Sequence, residues 1–266
     1  LSGLVGSEMC IRDSRNLENT QNSASKSMEK LSSGFRINRA ADDAAGLAIS
    51  ESLRSQVRGL DQASRNVADG ISLVQTAEGA LEQVHAMLQR VRELAVQYAN
   101  GTLQTSDRNA LQAEANQLSA EVARIADSTK FNGIDLFGGG SVSIQVGALG
   151  DTTDQVSVGL PDVATSVDAT KFDLSSTTIL SDLDTAITDV STMRGDFGAV
   201  QNRLEYTQAQ IGISEENLSD SLSRIKDVDM ASEMVKFTKN QILQQAGTAM
   251  LAQANQAPQT VLSLLK

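Results

Sequence analysis

Apolar residues recur at intervals of seven along two long stretches of this chain, and neither stretch contains a proline. In residues 179–225 the recurrence has no gap: Leu183, Val190, Phe197, Leu204, Ile211, Leu218 and Ile225. In residues 44–100 apolar residues follow one another at steps of three and four, with two positions skipped. This spacing puts the apolar side chains on one stripe of a helix and is typical of helices in supercoiled contact. The two prolines, Pro161 and Pro258, lie outside both stretches. A helix over residues 44–100 would be roughly 80 Å long.

The rest of the chain predicts shorter elements. Apolar residues at helical spacing also predict helices over residues 17–35 and 107–128, and an amphipathic helical segment follows residue 229. Residues 142–146 and 156–160 alternate between apolar and polar, which indicates two short antiparallel strands. The Ser/Thr/Asp-rich segment 162–178 is predicted to be an exposed loop, and residues 1–14, which have no period, an irregular leader. The predicted fold class is mainly α: a long antiparallel helical bundle or coiled coil with a small β-hairpin in the middle of the chain.

The composition argues against most kinds of chemistry. Lys and Arg number 22 against 33 Asp and Glu, which gives a formal net charge of −11. Such an acidic surface disfavours nucleic acid and anionic membrane as partners. His85 and Cys10 are the single representatives of their residue types, so a His/Cys metal centre or a Ser/His/Asp triad is barely possible. We therefore expect no enzyme, no cofactor and no metal site.

Both ends of the chain are predicted to be helical, with the strands between them. Such a chain folds back on itself, so its terminal segments lie side by side. A pair of helices buries too little apolar surface to offset the cost of ordering its backbone, about 1–2 kcal/mol per residue. We therefore hypothesise that the ends are loose in a single molecule and fold against neighbouring copies.

Several stretches resemble bacterial flagellins, the subunits of flagellar filaments. In the first half these are KLSSGFRINRAADDAAGLAIS (30–50), ASRNVADGISLVQTAEGAL (63–81) and LQRVRELAVQYANGT (88–102). In the second half they are KFNG (130–133), GAVQNRLEYT (198–207) and QILQQAGTAMLAQANQAPQTVLSLLK (241–266). The resemblance begins at about residue 15. The leader 1–14 does not match the family's usual start, and we interpret it as a possible artefact.

The resemblance implies a domain organisation. Residues 15–43 and 226–266 would form the coiled-coil domain of the filament core. Residues 44–225 would form a helical domain with the β-hairpin at about 134–178. The space between Gly133 and Ile179 suffices for a hairpin and a loop, so the chain resembles a short form of the family with little or no outer domain.

The resemblance also implies a function and a set of site residues. We expect a structural subunit that polymerises with itself into the filament used for motility. Its other expected partners are an export chaperone, the flagellar secretion apparatus, and the hook-associated junction and cap proteins. The residues predicted to pack in the filament core are Leu17, Met28, Leu31, Met234, Phe237, Ile242, Val261, Leu262, Leu264 and Leu265. Four others match positions that flagellins use to contact the flagellin-sensing Toll-like receptor of animals: Gln89, Arg90, Leu94 and Glu114.

Two other readings of the chain stay open at this point. It could be a flagellin-like protein of the hook–filament junction, which shares the terminal helices without forming long filaments. It could also be a cytoplasmic coiled-coil adaptor. For the filament subunit we expect an extracellular location, reached by flagellar export without a cleaved signal peptide.

Overall fold

Long helices make up most of the described chain. The computed structural model describes residues 2–167 and 172–264, and within them the side chains at 11–151, 153–163, 165, 167, 172–254 and 256. Its first half contains the helices α1 (Ser2–Ser33), α2 (Ala44–Tyr98) and α3 (Thr105–Ser128). The strands β1 (Lys130–Phe131), β2 (Ile134–Asp135), β3 (Gly138–Gln145) and β4 (Gln155–Asp162) follow. The chain then forms the single-turn helix α4 (Val163–Ser166) and the long helices α5 (Ile179–Lys226) and α6 (Met230–Leu264). The predicted fold class is confirmed.

The ends of the helices follow from local chemistry. Gly34 adopts a φ of 75°, a conformation that a residue with a side chain rarely takes, and its amide donates to the carbonyl of Lys30 at the end of α1. Asp43 caps α2, because its Oδ1 accepts a hydrogen bond of 2.8 Å from the Gly46 amide. Asn132 and Gly133 both have positive φ and form the tight turn between β1 and β2.

The chain forms two compact units. One contains residues 1–55 and 218–266, and the other contains residues 56–217. The boundaries therefore lie within α2 and α5, somewhat inside the limits at 43 and 225 that the sequence suggested. None of the helices in the described residues is both long and apolar enough to cross a membrane.

The unit of residues 56–217 has a core of three helical stripes. α2 contributes buried residues at the predicted seam, including Val67, Val74, Leu81, Val84, Leu88 and Val91. α3 adds Ala115, Val122 and Ala126, and α5 adds Leu183, Val190, Phe197, Leu204 and Ile211. Ion pairs join α2 to α5: Arg92 to Asp184 at 2.6 Å and Arg194 to Glu78 at 3.8 Å. The polar seam position Arg194 thus has a polar partner on α2.

The β-hairpin packs on glycines of α2. β3 and β4 are antiparallel, with Val142 opposite Val158 and Ile144 opposite Val156. A Cβ at Gly59 would lie 2.7 Å from Cβ of Ala148, in the loop that joins the strands. A Cβ at Gly70 would collide with the side chain of Ile144. These two glycines, which weaken a helix on propensity alone, allow the hairpin to approach α2 closely.

The structure corrects two of the predictions. The leader is helical, because α1 begins at Ser2. Its two glycines lower helix stability, but no proline breaks the chain there, so the helix continues. The segment 162–178 is not simply an exposed loop. Its apolar residues Val163, Val167, Phe172 and Leu174 are buried, so the segment is anchored at both ends of the gap between the described residues.

Candidate functional site

The terminal helices α1 and α6 form an antiparallel coiled coil. Ser27 of α1 contacts Glu233 of α6, while Leu17, further back on α1, lies against Gly247, further along α6. On α6 the covered positions follow steps of four and three, and on α1 the same steps hold except for Glu29 and Lys30, which are also partly buried near the end of the helix. The positions that follow these steps are 13, 17, 20, 24, 27, 31 and 34 on the α1 side and 233, 237, 240, 244, 247, 251 and 254 on the α6 side. This is the heptad pattern of a two-helix seam.

The residues in this seam are small or polar at many positions. On α6 they are Glu233, Phe237, Asn240, Gln244, Gly247, Leu251 and Ala254. On the α1 side they are Asp13, Leu17, Thr20, Ala24, Ser27, Leu31 and Gly34. Apolar burial is the main source of coiled-coil stability, and this seam supplies little of it. We therefore expect the pair to gain stability from contacts outside the seam.

A buried carboxylate lies in the seam. Glu233 is 5 % exposed. Its Oε1 accepts a hydrogen bond of 2.7 Å from the Ser27 hydroxyl, and its Oε2 lies 2.9 Å from Nζ of Lys236. Burial raises the pKa of Glu233, but the hydrogen bonds from Ser27 and Lys236 and the charges of Lys236 and Lys30 lower it by more. The net effect is a pKa below the ordinary value, so the carboxylate is ionised at neutral pH.

The side of α6 turned away from α1 is more apolar than the seam. We call Met234, Val235, Ile242, Leu243 and Met250 the outer face of α6. Val235 is 70 % exposed and Ile242 is 60 % exposed, and the other three are about half exposed or more. Met234, Val235, Ile242 and Leu243 line a shallow groove of about 510 Å³ together with Thr238 and Lys239. An exposed apolar groove of this kind marks an interaction surface.

The predicted filament-core residues divide between these two sides. Leu17, Leu31 and Phe237 are half-buried at seam positions. Met28, Met234 and Ile242 are exposed. The side chains of Val261, Leu262 and Leu264 are outside those that the structure describes, and Leu265 lies outside the described residues.

The segment that follows α1 and the segment that precedes α6 lie at the same end of this antiparallel pair and are hydrogen-bonded to each other. The segment after α1 forms a short β-bridge with the segment after α5, in which Phe35 pairs with Asp227. The Arg36 guanidinium donates to the carbonyl of Ile225 at 2.7 Å and so satisfies a backbone group at the end of α5. Lys226 lies 3.1 Å from Glu51 Oε1, and this hydrogen bond lowers the pKa of Glu51. These contacts therefore fix the position of the start of α6 relative to the end of α1.

Three of the four predicted receptor positions form one surface cluster on α2 and α3. Arg90 is exposed and pairs with Glu114 of α3 at 2.9 Å and with Glu93 of its own helix at 3.0 Å. The hydrogen bonds with Glu114 and Glu93 raise the pKa of Arg90. Gln89 is exposed beside it, with its amide nitrogen 2.9 Å from Nε2 of His85. Leu94 is 1 % exposed, so its role in this structure is to pack the helix that presents Gln89 and Arg90.

Sequence reasoning missed the buried Ser27–Glu233 pair and the residues Val235 and Leu243 of the outer face. The signal for Glu233 is present in the sequence, because it stands four residues before Phe237 in the seam heptad. The outer residues stand directly after Met234 and Ile242, which were predicted. A helical face wider than one heptad stripe includes them.

These features define a helical structural protein whose two ends form one coiled coil with an unpartnered apolar face. Comparison with known proteins identifies the family within this class. Residues 8–141 match the family model "bacterial flagellin N-terminal helical region", and residues 180–265 match "bacterial flagellin C-terminal helical region". The chain belongs to the bacterial flagellin family.

Individual relatives support the same assignment over nearly the whole chain. The flagellar filament 33 kDa core protein of Treponema phagedenis is 48 % identical, over 95 % of this chain and 96 % of that protein. A flagellin of Halalkalibacterium halodurans is 51 % identical over 95 % of each chain. The crystal structure of Bacillus cereus flagellin is 31 % identical with a TM-score of 0.50, and the match covers 55 % of this chain and 88 % of that one.

Proposed function

We propose that the α1–α6 coiled coil supplies the contacts between copies through which this chain, a structural subunit of the flagellar filament, polymerises. The observation that carries this proposal is the distribution of apolar residues on α6. The helix directs a polar seam toward α1 and its outer face, Met234, Val235, Ile242, Leu243 and Met250, toward the outside. A second copy of the chain is the occupant that the family assignment favours for this face.

Burial of the outer face against a neighbouring copy would contribute several kcal/mol of favourable free energy. Complete burial of a Val, Leu, Ile or Met side chain contributes roughly 1.5–3 kcal/mol before the cost of association. Five such residues line the face, so their burial against a neighbour can stabilise the polar α1–α6 seam as well. A contact between this face and a different surface of the next copy repeats without closing and generates a helical filament.

A pair of substitutions at Ile242 tests the proposal. The purified chain should elongate filament fragments used as seeds, as measured by light scattering and electron microscopy. Ile242→Ser should abolish or strongly slow elongation, because it places a hydroxyl in the contact. The matched variant Ile242→Leu keeps the apolar area and should elongate the seeds normally. Equal elongation by the two variants would contradict a role for the outer face.

Seeded elongation also separates the filament subunit from a hook–filament junction protein. A subunit adds repeatedly and lengthens the seed by many copies, whereas a junction protein adds a limited number and stops. The relatives described as filament core proteins support the first of these.

The other partners and the location belong to the same proposal. An export chaperone that binds the outer face of α6 would keep it from premature contact before export through the flagellar secretion apparatus. Junction and cap proteins would contact the same terminal pair at the two ends of a filament outside the cell. The supporting observation is the exposed apolar groove along Met234, Val235, Ile242 and Leu243. In this proposal the chain has a structural role and not an enzymatic one.

We further propose that Gln89, Arg90 and Glu114 contact the flagellin-sensing Toll-like receptor of animals. The three side chains lie on α2 and α3, and the Arg90–Glu114 ion pair holds the two charges in one place. Arg90→Ala should reduce receptor activation in a reporter cell assay while assembly is retained. Arg65→Ala removes another exposed arginine of α2, which pairs with Asp61, and should leave activation unchanged. Full activation by Arg90→Ala would contradict the assignment.

A further inference from the structure

The methionines of the terminal helices are placed differently from those of the rest of the chain. The sequence contains seven methionines, and the structure describes the side chains of all of them except Met9. Met28 of α1 and Met230, Met234 and Met250 of α6 are each between 49 and 64 % exposed. Met87 of α2 and Met193 of α5 are only half-exposed or less, in the unit of residues 56–217. Among the six methionines whose side chains the structure describes, the exposed thioethers are therefore concentrated in the α1–α6 coiled coil.

Exposure of a thioether determines how readily it is oxidised. Hydrogen peroxide transfers one oxygen atom to the sulfur. The peroxide O–O bond breaks, an S–O bond forms, the sulfur loses two electrons, and water leaves. The product, methionine sulfoxide, is polar and chiral, and methionine sulfoxide reductases convert it back to the thioether.

Oxidation at these positions would change the character of the assembly surface. Met234 and Met250 belong to the outer face of α6, and Met230 lies one turn before Met234. The unoxidised methionine side chain is apolar, and it is flexible enough to pack against an irregular neighbouring surface. A sulfoxide at the same place carries a strong hydrogen-bond acceptor, which must lose its water when the face is covered. The same change on a permanently exposed surface would have little consequence.

We propose that Met28, Met230, Met234 and Met250 form a reversible oxidation site, and that their conversion to sulfoxides prevents a subunit from joining a polymer. Assembly covers the four side chains and protects them. The oxidant class is a peroxide, and the reducing partner is a methionine sulfoxide reductase. This inference rests on the proposed function, since it assumes that the terminal helix pair is an assembly surface.

The first experiment treats the full chain with hydrogen peroxide and follows each methionine by peptide mass spectrometry. In free subunits the four methionines should be oxidised at least fivefold faster than in polymer. Peroxide-treated subunits should elongate seeds at least tenfold more slowly than untreated ones. Treatment with methionine sulfoxide reductases should restore elongation, which shows that the loss comes from sulfoxides and not from unfolding.

Substitution provides the matched control. The quadruple variant M28L/M230L/M234L/M250L keeps the apolar volume and should elongate seeds after peroxide treatment as it does before it. The double variant M87L/M193L should remain as sensitive to peroxide as the unchanged chain. Circular dichroism checks that both variants retain their helices.

Two results would overturn the inference while leaving the proposed function intact. One is normal elongation by subunits with sulfoxides at all four positions. The other is a quadruple leucine variant that folds and polymerises but stays sensitive to peroxide. Failure of the untreated chain to elongate seeds would instead overturn the proposed function, and with it this inference.

Discussion

At the scale of single residues, Glu233 is the group that most restricts how α1 and α6 can pair. Its carboxylate is buried and accepts from Ser27 across the seam. Sliding one helix by a turn would remove the hydrogen bond from Ser27 and leave the buried carboxylate with Lys236 of its own helix as its remaining partner. Loss of a hydrogen bond to a buried charged group costs more than loss of one between neutral groups. We therefore expect the Ser27–Glu233 bond to select one register of the antiparallel pair, as buried polar residues do in other coiled coils.

Glu233→Ala tests the contribution of this carboxylate to stability. The variant leaves the Ser27 hydroxyl and the Lys236 ammonium without their acceptor and should destabilise the helix pair by about 1–3 kcal/mol. The temperature at which polymer dissociates, followed by light scattering, should fall. The control Glu121→Ala removes an exposed carboxylate that pairs with Arg124 on α3 and should change this temperature little. Equal effects of the two variants would contradict a special role for Glu233.

The ionisation of Glu233 predicts a dependence on pH. Its pKa in the folded protein lies below the ordinary value of 4.5, so it adds stability above about pH 4.5 and loses it as the pH falls through the folded-state value. Glu233→Gln carries no charge at any pH. We expect this variant to be less stable at pH 7 and its polymer to lose stability less steeply on acidification between pH 6 and 3. Parallel acid profiles for the two proteins would show that other carboxylates account for the whole effect.

Two glycines of α2 give a third prediction at this scale. A Cβ at Gly59 would lie 2.7 Å from Cβ and 3.1 Å from Cα of Ala148, whereas a Cβ at Gly79 meets nothing within 4 Å. Gly79→Ala should raise the free energy of unfolding by up to about 1 kcal/mol, because alanine favours a helix. Gly59→Ala should be less stable than Gly79→Ala by about 1–3 kcal/mol, because the hairpin loop must move. Urea unfolding of the free subunit measures both, and similar stabilisation of the two variants would refute the packing role of Gly59.

At the scale of elements, α3 holds the segment that precedes α5. The amide nitrogen of Gln112 donates to the Phe172 carbonyl at 3.3 Å, and its Oε1 accepts from the Leu174 amide at 2.8 Å. The side chains of Phe172 and Leu174 are buried as well. One side chain of α3 thus satisfies backbone groups that no strand or helix pairs.

Gln112→Ala should loosen this segment without unfolding the helices. We expect limited proteolysis between residues 172 and 178 to become several-fold faster, because local opening exposes the backbone to the protease. Gln117→Ala, at an exposed position of the same helix, should leave the cleavage rate unchanged. Unaltered cleavage of Gln112→Ala would mean that the buried Phe172 and Leu174 suffice to hold the segment.

At the scale of the whole molecule, the two compact units differ in how much of their apolar surface they cover. The unit of residues 56–217 encloses three apolar helical stripes, whereas the unit of residues 1–55 and 218–266 has a small, polar seam and an exposed outer face. The hypothesis that the ends are loose in a single molecule is consistent with this difference.

Amide hydrogen exchange measures this difference directly. In free subunits, residues 15–40 and 230–264 should exchange much faster than residues 60–95, because the seam supplies little stability of its own. In polymer the terminal residues should become protected, while residues 60–95 change little. Equal protection of the ends in the two states would contradict assembly through the α1–α6 pair.

Much of this fold was predictable from the sequence because helical periodicity is a local property. The seven-residue recurrence from Leu183 to Ile225 determines α5 almost to its ends, and alternation identified both strands of the hairpin. Burial of Phe172 and Leu174 was not predictable, because the two residues stand among Ser and Thr and because Gln112, which bonds their backbone groups, is distant in the chain. The close fit of Gly59 to Ala148 depends on a contact of the same kind.

The candidate site was half predictable for the same reason. The amphipathic pattern of the terminal segments predicted that they pair and that they carry an apolar face. It could not decide which side of α6 meets α1, since a periodic helix has several faces that differ only modestly in apolar content. The tertiary structure placed Glu233, Gln244 and Gly247 inward and Val235, Ile242 and Met250 outward. Small and hydrogen-bonded residues allow two helices to approach closely, and the bulky apolar side chains are then left for a neighbour to cover.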